Sequence, residues 1–407
     1  MVPVCQFEAS GAAITGSADF RIEENHRHKK RLHVLTLTPF FPSDDDDVEG
    51  CFIAEPLSWL EKEGISTRVI AVRPFHRGRI QSKSSTNLQR WVNYLALPGM
   101  AGLPLAGRAL FLKLRAQIAR VHASDPIDLM HAHAALPCGQ AAMLLGRELN
   151  IPFIVSVHGR DVFSSRNGGV SASWCERASR SVYLSAARVI CVSATVEREL
   201  GDLPCQSQVI QNGVDATRFC PSLDTPEIPV VLSIGNLIPS KGHDVLLKAF
   251  AKINLKHSRA RCQIVGIGPQ EERLKKLSFD LGISEKVQFL GRQSREAVAK
   301  LLQRCIVFAL PSSYEGLGCV YLEAMAAGKP AIGCRGQGID GIIQSEINGW
   351  LVQRNDVEAL ARALDAILSS PDSMARLGTA ARQTVVDNFT LRHHAQRMAQ
   401  VYRECAS

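Results

Sequence analysis

Short apolar runs alternate with helical patterns along most of the chain. Buried strands are predicted where mostly apolar residues follow one another, as in Leu32–Thr38 and Cys305–Leu310. Between such runs, segments such as His243–Ile253 space their apolar residues three and four apart, which predicts helices. A repeated strand–helix–strand order is typical of a parallel sheet with helices on both faces. The sequence therefore predicts an α/β protein.

A break in this pattern divides the chain. A chain of 407 residues is longer than a single hydrophobic core usually serves, which predicts two domains. Residues 221–229 contain three prolines and are interpreted as the linker between them. We predict one doubly wound, Rossmann-like domain over residues 32–220 and a second over 221–385. An amphipathic helix is predicted within 386–407. Residues 1–31 lack the apolar core of a signal peptide and are interpreted as a flexible extension.

Composition narrows the choice of partner and compartment. The formal net charge is +8 and the pI is about 8.9, which favours anionic partners such as nucleotides, phospholipid head groups or nucleic acid. The 12 cysteines are scattered without a C-x-x-C pair. This spacing predicts neither a disulfide framework nor a cysteine zinc site, and it favours a reducing cytosol.

Residues 73–120 are unusual because they contain nine Lys or Arg and no Asp or Glu. Apolar and aromatic residues lie between these cations. The uncharged stretch Trp91–Gly107 is nearly long enough to cross a bilayer, but Pro98 and Pro104 interrupt it, so no transmembrane helix is predicted. Two interpretations remain: a segment on an anionic membrane surface, or an ordinary helix–loop–helix that covers the sheet. Nucleic-acid binding is not predicted, because no aromatic residues recur at stacking intervals.

Polar side chains follow several predicted strands. The four residues Asp44–Asp47 come after the first strand; consecutive carboxylates cannot all face one ion, so we predict a solvated loop. His131, His133 and His158 lie at the ends of two further strands, where a doubly wound sheet binds its ligands. Hydrogen bonding to a substrate and a zinc site are both compatible with this placement. No Cys or Glu arrives at zinc-ligand spacing, which favours hydrogen bonding.

The stretch Pro311–Pro330 carries the strongest chemical signal. It follows a buried strand, turns at Gly316 and Gly318, and is predicted to continue as a helix. Backbone N–H groups and the positive end of a helix dipole then point to one place, which suits a phosphate. Glu315 and Glu323 lie on either side and can hold hydroxyl groups. A sugar, a diphosphate and a ribose in a row would satisfy all three features.

A lysine near the start of the second predicted domain lies in a similar turn between a strand and a helix. Lys241 lies in the turn between the predicted strand Val230–Ile234 and the helix that begins at His243. There it can pair with a phosphate as a point charge, although a surface lysine is the simpler interpretation of a lone residue.

The spacing of Glu315 and Glu323 resembles the E-x7-E signature of the retaining, GT-B-fold glycosyltransferases of family four. The likeness covers residues 32–405 and includes His158-Gly159-Arg160-Asp161, Asn212-Gly213-Val214-Asp215, Ser233–Leu237, Lys241-Gly242, Val265–Pro269 and Asn348–Val352. It implies a GT-B architecture, in which two Rossmann-like domains face a central cleft. It also implies that the C-terminal helix crosses back to the N-terminal domain.

The resemblance also implies roles for single residues. Glu323 would bind the ribose hydroxyls, Glu315 the hydroxyls of the donor sugar, and Lys241 the leaving diphosphate. Gly50 would let the backbone approach the diphosphate, and His158 would touch the donor sugar. The implied catalytic residues are Glu315, Lys241 and His158, and the implied donor-binding residues are Gly50, Asn236, Lys241, Gly266, Arg292, Glu315, Gly316, Leu317, Gly318, Cys319, Val320 and Glu323. Neither a metal nor a further cofactor is implied.

The function implied is retaining transfer of a hexose from a nucleotide diphosphate sugar, with UDP or GDP as the nucleotide. A saccharide or lipid-linked acceptor of bacterial cell-envelope or exopolysaccharide synthesis is expected. The cytoplasm, or the inner face of the cell membrane, is the expected location. No side chain is an obvious covalent nucleophile, so attack by the acceptor from the front face is favoured.

Three departures from the family pattern keep other functions open. Asn236 replaces a frequent Arg, residues 336–340 replace a Gly-Gly-x-x-Glu loop with Asp340 in the Glu position, and Gly266-Ile267-Gly268 replaces Gly-Asp-Gly. A nucleotide-sugar epimerase and a non-catalytic scaffold that partners another glycosyltransferase are the alternatives. A phosphorylase would need a pyridoxal lysine, for which the sequence has no marker.

Overall fold

A computed structural model describes residues 31–43, 46–78, 89–97, 102–159, 169–204, 206–222 and 227–406. The predicted extension over 1–31 lies outside these ranges except for Arg31. The prediction of a flexible segment there is therefore untested.

The N-terminal domain is built on a seven-stranded parallel sheet in the order β3-β2-β1-β4-β5-β6-β7. Its strands are β1 Leu32–Thr38, β2 Ile65–Pro74, β3 Gln89–Tyr94, β4 Leu129–His133, β5 Phe153–Val157, β6 Arg188–Cys191 and β7 Ser207–Val209. Its described helices are α1 Cys51–Ala54, α2 Leu57–Lys62, α3 Leu103–Ser124, α4 Gln140–Leu149, α5 Gly169–Ser185 and α6 Ala194–Leu200. β1 pairs with both β2 and β4, so the strand order reverses beside it. Ligands of doubly wound sheets bind at such a switch point.

The C-terminal domain repeats this plan with six parallel strands in the order β10-β9-β8-β11-β12-β13. Its strands are β8 Val230–Ile234, β9 Arg261–Val265, β10 Val287–Phe289, β11 Val307–Ala309, β12 Ala331–Cys334 and β13 Gly349–Val352. Its described helices are α7 His243–Ile253, α8 Glu271–Asp280, α9 Arg295–Arg304, α10 Cys319–Ala326, α11 Val357–Ser369, α12 Pro371–Asn388 and α13 Leu391–Cys405. The switch point here lies between β8 and β11. The predicted pair of doubly wound sheets is confirmed.

The last helix, α13, packs on the N-terminal sheet. Its buried side chains Ala395, Met398 and Tyr402 share one core cluster with Val34 of β1 and Leu129 of β4. The apolar residues of α13 recur at helical spacing, so one face of the helix is buried while the other stays polar. The predicted return of the C-terminal helix to the N-terminal domain is confirmed.

The segment 73–120 contains a strand that neither of its interpretations expected. It contains an edge strand, β3, before the helix α3. Val92 and Tyr94 are buried while Trp91 and Asn93 are partly exposed, the alternation of a half-buried edge strand. Leu110, Leu114 and Ile118 of α3 face the core, so this helix covers the sheet as the second interpretation expected.

Two local predictions were incomplete or wrong. The helix α5 was not predicted, and the segment predicted as a hairpin-like strand, now β13, instead pairs in parallel with β12. Within the described ranges, no helix is both long and apolar enough to cross a membrane.

Candidate active site

A cavity of about 340 Å³ lies where the carboxyl ends of the two sheets face each other. His158 follows β5, Asn236 follows β8 and Glu315 follows β11. The side chains that line it are Val48, Cys51, Phe52, His158, Val192, Asn212, Ile234, Gly235, Asn236, Lys241, Arg295, Val298, Glu315, Leu317, Gly318, Cys319, Val320 and Glu323. Both domains therefore contribute to a single site.

The loop after β11 and the helix α10 form one wall of the cavity. α10 begins at Cys319, and its N-cap is Gly318 with a φ of +75°. A Cβ at Gly318 would lie 2.7 Å from the Tyr321 ring, so glycine is required both by conformation and by space. The predicted helix start is confirmed, and the helix ends at Ala326, two residues before Gly328.

Lys241 and Glu315 meet on this wall. The ammonium group of Lys241 forms an ion pair with the Glu315 carboxylate, and both side chains are largely buried. The backbone N–H of Glu315 donates to Gln337 Oε1 at 2.8 Å. Asp340, in contrast, accepts from the backbone N–H of Gly336 at 2.6 Å and does not line the cavity. The loop 336–340 thus holds Glu315 through the Gln337 side chain and through the backbone N–H of Gly338, which donates to the Glu315 carbonyl oxygen at 3.0 Å.

Glu323 lies on the second turn of α10 and is only 4% exposed. Its Oε1 accepts from Arg295 Nη1. Burial raises the pKa of Glu323, and the neighbouring Arg295 guanidinium opposes that shift. Arg295 in turn pairs with Glu55 of the N-terminal domain, at 3.0 Å between Nη2 and Oε1. A chain of alternating charges therefore crosses the cleft beside the cavity.

His158 is held in an aromatic setting. Its Nε2 lies 3.0 Å from His133 Nδ1, and the two rings stack with centroids 5.2 Å apart. Phe52 packs 5.0 Å away on the cavity side, and Phe40 lies edge-on. Burial lowers the pKa of His158 to about 4, so its ring is neutral at neutral pH. A neutral imidazole in this position can exchange hydrogen bonds with a sugar hydroxyl.

His131 is occupied by other side chains. Its Nδ1 lies 2.8 Å from the Tyr402 hydroxyl of α13, and its Nε2 lies 2.7 Å from Ser156 Oγ. Among the residues that the structure describes, no group of three or more His, Cys, Asp or Glu could hold a metal ion. His131 is thus hydrogen-bonded to the C-terminal helix, and its ring packs against the ring of His133, with centroids 4.3 Å apart.

Three predicted glycines bring backbones together rather than line the cavity. Gly50 has a φ of +76°, and a Cβ there would lie 2.4 Å from the backbone of Phe40. At Gly266 a Cβ would lie 2.0 Å from the carbonyl oxygen of Gly235, and at Gly316 it would lie 2.2 Å from that of His158. Gly316 therefore marks a close contact between the two domains.

The loop after β1 contacts the C-terminal domain through its aspartates. Asp46 forms an ion pair with Arg292, and Asp47 Oδ2 accepts from the backbone N–H of Arg295 at 3.1 Å. The prediction of a solvated loop is wrong for Asp46, whose side chain is 17% exposed, because the C-terminal domain supplies a partner that no local pattern reveals. Asp47 is exposed, as predicted, although it also accepts a hydrogen bond from that domain. Arg292, predicted at the donor, is placed against Asp46 and does not line the cavity. Asp44 and Asp45, like Arg160 and Asp161 of the His158 motif, lie outside the described residues.

Several lining residues were missed as site residues. Asn212 and Gly235 belong to motifs that resemble those of the family, and this resemblance could have identified them as site residues. Cys51 follows Gly50 directly, so the predicted approach of the Gly50 backbone to the diphosphate could have identified Cys51 as a site residue. Arg295 had no sequence signal, because only the fold brings it to Glu323.

Two family models match this chain. The model "Glycosyltransferase Family 4" matches residues 53–218, and "Glycosyl transferases group 1" matches residues 221–384. The chain belongs to glycosyltransferase family four. The family proposed from Glu315 and Glu323 is thereby confirmed.

A curated relative of this glycosyltransferase is the GDP-mannose-dependent alpha-(1-6)-phosphatidylinositol monomannoside mannosyltransferase of Mycolicibacterium smegmatis. The two sequences are 32% identical over 206 residues, which is 46% of this chain and 54% of the relative. The match therefore spans about half the length of that protein.

Solved structures agree with the glycosyltransferase in fold. Sucrose-phosphate synthase from Thermosynechococcus elongatus superposes with a TM-score of 0.74 at 22% identity, over 92% of this chain and 99% of that one. HepE of Anabaena in complex with UDP gives a TM-score of 0.70 at 18% identity, over 92% and 100% of the two chains. The GT-B architecture predicted for this chain is confirmed.

Proposed function

We propose that this glycosyltransferase moves a sugar from a nucleotide diphosphate sugar to a saccharide or lipid-linked acceptor, with retention of the anomeric configuration. The observation that carries the proposal is the cavity itself, which brings Lys241, Glu315 and Glu323 together at the N-terminus of α10. A cation and a helix N-terminus suit a diphosphate, and the two carboxylates suit sugar hydroxyls.

The bound donor would lie along this wall. Glu323 accepts from the ribose hydroxyls, the first turn of α10 and Lys241 face the diphosphate, and Glu315 accepts from the hydroxyls of the sugar. His158, neutral and held by His133, faces the sugar from the N-terminal domain. This order follows the positions of the lining side chains from the second turn of α10 to the opposite domain.

Transfer then breaks the bond between the sugar C1 and a diphosphate oxygen, whose electron pair leaves with the diphosphate. The acceptor oxygen bonds to C1 on the same face, and its proton passes to the departing oxygen. Lys241 and the α10 N-terminus stabilise the charge that develops on the diphosphate, the step at which positioned electrostatics contribute most. The close contact of Gly316 with His158 brings the two domains together beside the proposed sugar site, and a site closed in this way would keep out water and so suppress hydrolysis.

The nucleotide is proposed to be UDP or GDP. The relative from Mycolicibacterium smegmatis is named for GDP-mannose, and the HepE structure holds UDP. Asn236 lines the cavity where the family often has Arg, so Lys241 would carry more of the diphosphate charge here than in such relatives.

An acceptor at an anionic membrane surface is proposed from the exposed side of α3. Leu105, Arg108, Leu112 and Arg115 are exposed, and their spacing of three and four residues places them on one helical face. Leu95 and Leu97, just before this helix, are 74% and 64% exposed. Leucines interleaved with arginines suit the head-group region of a bilayer. The location proposed is the cytoplasm, at the inner face of the cell membrane.

Transfer can be measured with UDP- and GDP-sugars and a membrane lipid extract as the acceptor source. We expect a glycolipid product whose anomeric proton coupling in NMR matches that of the donor. Glu323→Ala and Lys241→Ala should each reduce its formation by about 100-fold or more. An inverted product would contradict the retaining mechanism, and near-normal turnover in either variant would contradict the assigned roles.

Asn236 also favours a second candidate, a non-catalytic partner of another glycosyltransferase. A missing cation in the cavity lowers the stabilisation of a leaving diphosphate while nucleotide binding can persist. Nucleotide binding without transfer to any acceptor would select this candidate. Formation of an epimer instead of a glycoside would select an epimerase.

A further inference from the structure

We propose that Arg295 is a positioning residue that couples nucleotide binding at Glu323 to closure of the two domains. It does so by holding Glu323 of the C-terminal domain and Glu55 of the N-terminal domain at the same time. This inference rests on the proposed function, because it takes Glu323 as the carboxylate that binds the ribose.

The Arg295 side chain is buried and is held by contacts with several neighbouring side chains. It is the first residue of α9, directly after the N-cap Ser294, and it is 8% exposed. Its Nη1 bonds Glu323, while its Nη2 lies 3.0 and 3.1 Å from the two carboxylate oxygens of Glu55. Its guanidinium carbon lies 4.8 Å from the centroid of the Phe219 ring. A planar fork that reaches two carboxylates has little freedom to move.

The guanidinium is what allows Glu323 to be an anion in this position. Burial alone raises the pKa of the Glu323 carboxyl, and Arg295 is the nearest opposing charge. Of the two carboxylate oxygens, Oε1 accepts from Arg295. Within the described residues, no hydrogen bond to Oε2 is found, so this oxygen is the one placed to accept from a ribose hydroxyl.

Glu55 belongs to the opposite domain, between α1 and α2, and it does not line the cavity. Its hydrogen-bonded link to Glu323 is Arg295, while its charge also acts on the Glu323 carboxyl directly at longer range. Arg218 also pairs with Glu55, which fixes the carboxylate on its other side. If the domains separate, Glu55 leaves and the guanidinium is held by Glu323 alone. Because coupling between two equilibria is reciprocal, a nucleotide that favours the ordered Glu323 must also favour the closed contact with Glu55.

A thermodynamic cycle tests this coupling. Isothermal titration of UDP and of GDP gives Kd for the wild type, Glu55→Gln, Arg295→Met and the double variant. We expect Glu55→Gln to weaken binding of the preferred nucleotide by about tenfold, within the usual range of allosteric coupling. The double variant should bind much better than the two single losses multiplied together would predict, because Glu55 acts mainly through Arg295.

Two further variants separate positioning from general destabilisation. Glu61→Gln removes an exposed carboxylate of the same domain that pairs with Arg31, and it should leave Kd unchanged. Arg295→Lys keeps the charge but loses the fork, so it should bind better than Arg295→Met and worse than the wild type. If Arg295→Met does not fold, Arg295→Lys takes its place in the cycle.

The outcomes distinguish this inference from the proposed function. Wild-type affinity in Glu55→Gln, or independent effects that multiply in the double variant, would overturn the coupling and leave the proposed function intact. A wild-type protein that binds no nucleoside diphosphate would overturn the proposed function, and the coupling would fall with it.

Discussion

The Lys241 ammonium and the Glu315 carboxylate form an ion pair on the wall of the cavity, joining the loops after β8 and β11. Both groups are largely buried, so the charge of each is compensated mainly by the other and not by water. A diphosphate that binds here competes with Glu315 for Lys241. Under the proposed function, this pair would therefore set the electrostatic cost of donor binding.

Replacing Glu315 by Gln should separate binding from transfer. The neutral side chain releases Lys241, so UDP or GDP should bind about tenfold more tightly, as expected for the loss of a like charge beside a diphosphate. Transfer should fall, because the carboxylate proposed to hold the sugar is lost. Calorimetry and an activity assay on the same sample measure both effects. Weaker nucleotide binding by Glu315→Gln would contradict the competition.

Gly50 should tolerate alanine much less than a matched glycine. Gly50 and Gly64 have φ values of +76° and +79°, but a Cβ at Gly50 meets the backbone of Phe40 at 2.4 Å, whereas Gly64 has nothing within 4 Å. Gly64→Ala should cost about 1 kcal/mol of unfolding free energy, and Gly50→Ala about 2–3 kcal/mol more. Urea unfolding compares them. Equal losses would show that the close contact at Gly50 is not needed.

Acid should destabilise the fold through its buried histidines. Burial lowers the pKa of His131 to about 3 and that of His158 and His243 to about 4. The unfolded chain binds protons near pH 6.5 and the folded chain does not, so the free energy of unfolding falls as pH drops from 7 towards 4. Each histidine contributes up to about 1.4 kcal/mol per pH unit. Urea unfolding between pH 7.5 and 5 should show a shallower slope in His131→Gln, and an unchanged slope would contradict this assignment.

The exposed leucines on and just before α3 should attach this protein to anionic vesicles. Replacement of Leu95, Leu97 and Leu112 by Gln should abolish flotation with phosphatidylglycerol liposomes while leaving the unfolding midpoint near that of the wild type. Leu255→Gln, at a residue 91% exposed in the C-terminal domain, is the matched control and should float normally. If the wild-type protein does not float with the liposomes, the proposed binding to an anionic membrane surface is wrong.

The sequence predicted best what short-range patterns determine. Runs of buried residues located most strands, and Glu315, Gly318 and Glu323 lie on one strand–turn–helix whose geometry follows from its own residues. β3 was missed because an edge strand buries only alternate side chains, of which Val92 and Tyr94 are the buried pair.

Contacts between the domains could not be predicted in this way. Arg295 reaches Glu55 across 240 positions of the chain, and Arg292 reaches Asp46 across 246. Neither residue type nor spacing marks such partners, because closure of the two domains creates them. His133 was placed correctly at a strand end, but its hydrogen bond to His158 depends on the pairing of β4 with β5.

The central claim is that a nucleotide diphosphate sugar binds in the cavity between Lys241 and Glu323. Thermal unfolding with UDP-, GDP-, ADP- and dTDP-sugars tests it directly, because a ligand that binds only the folded protein raises the unfolding temperature. We predict a clear increase with a UDP- or GDP-sugar, lost in Lys241→Ala and Glu323→Ala and retained in Lys248→Ala, a variant of an exposed lysine in α7. No shift with any nucleotide sugar, or an equal shift in all variants, would contradict the account.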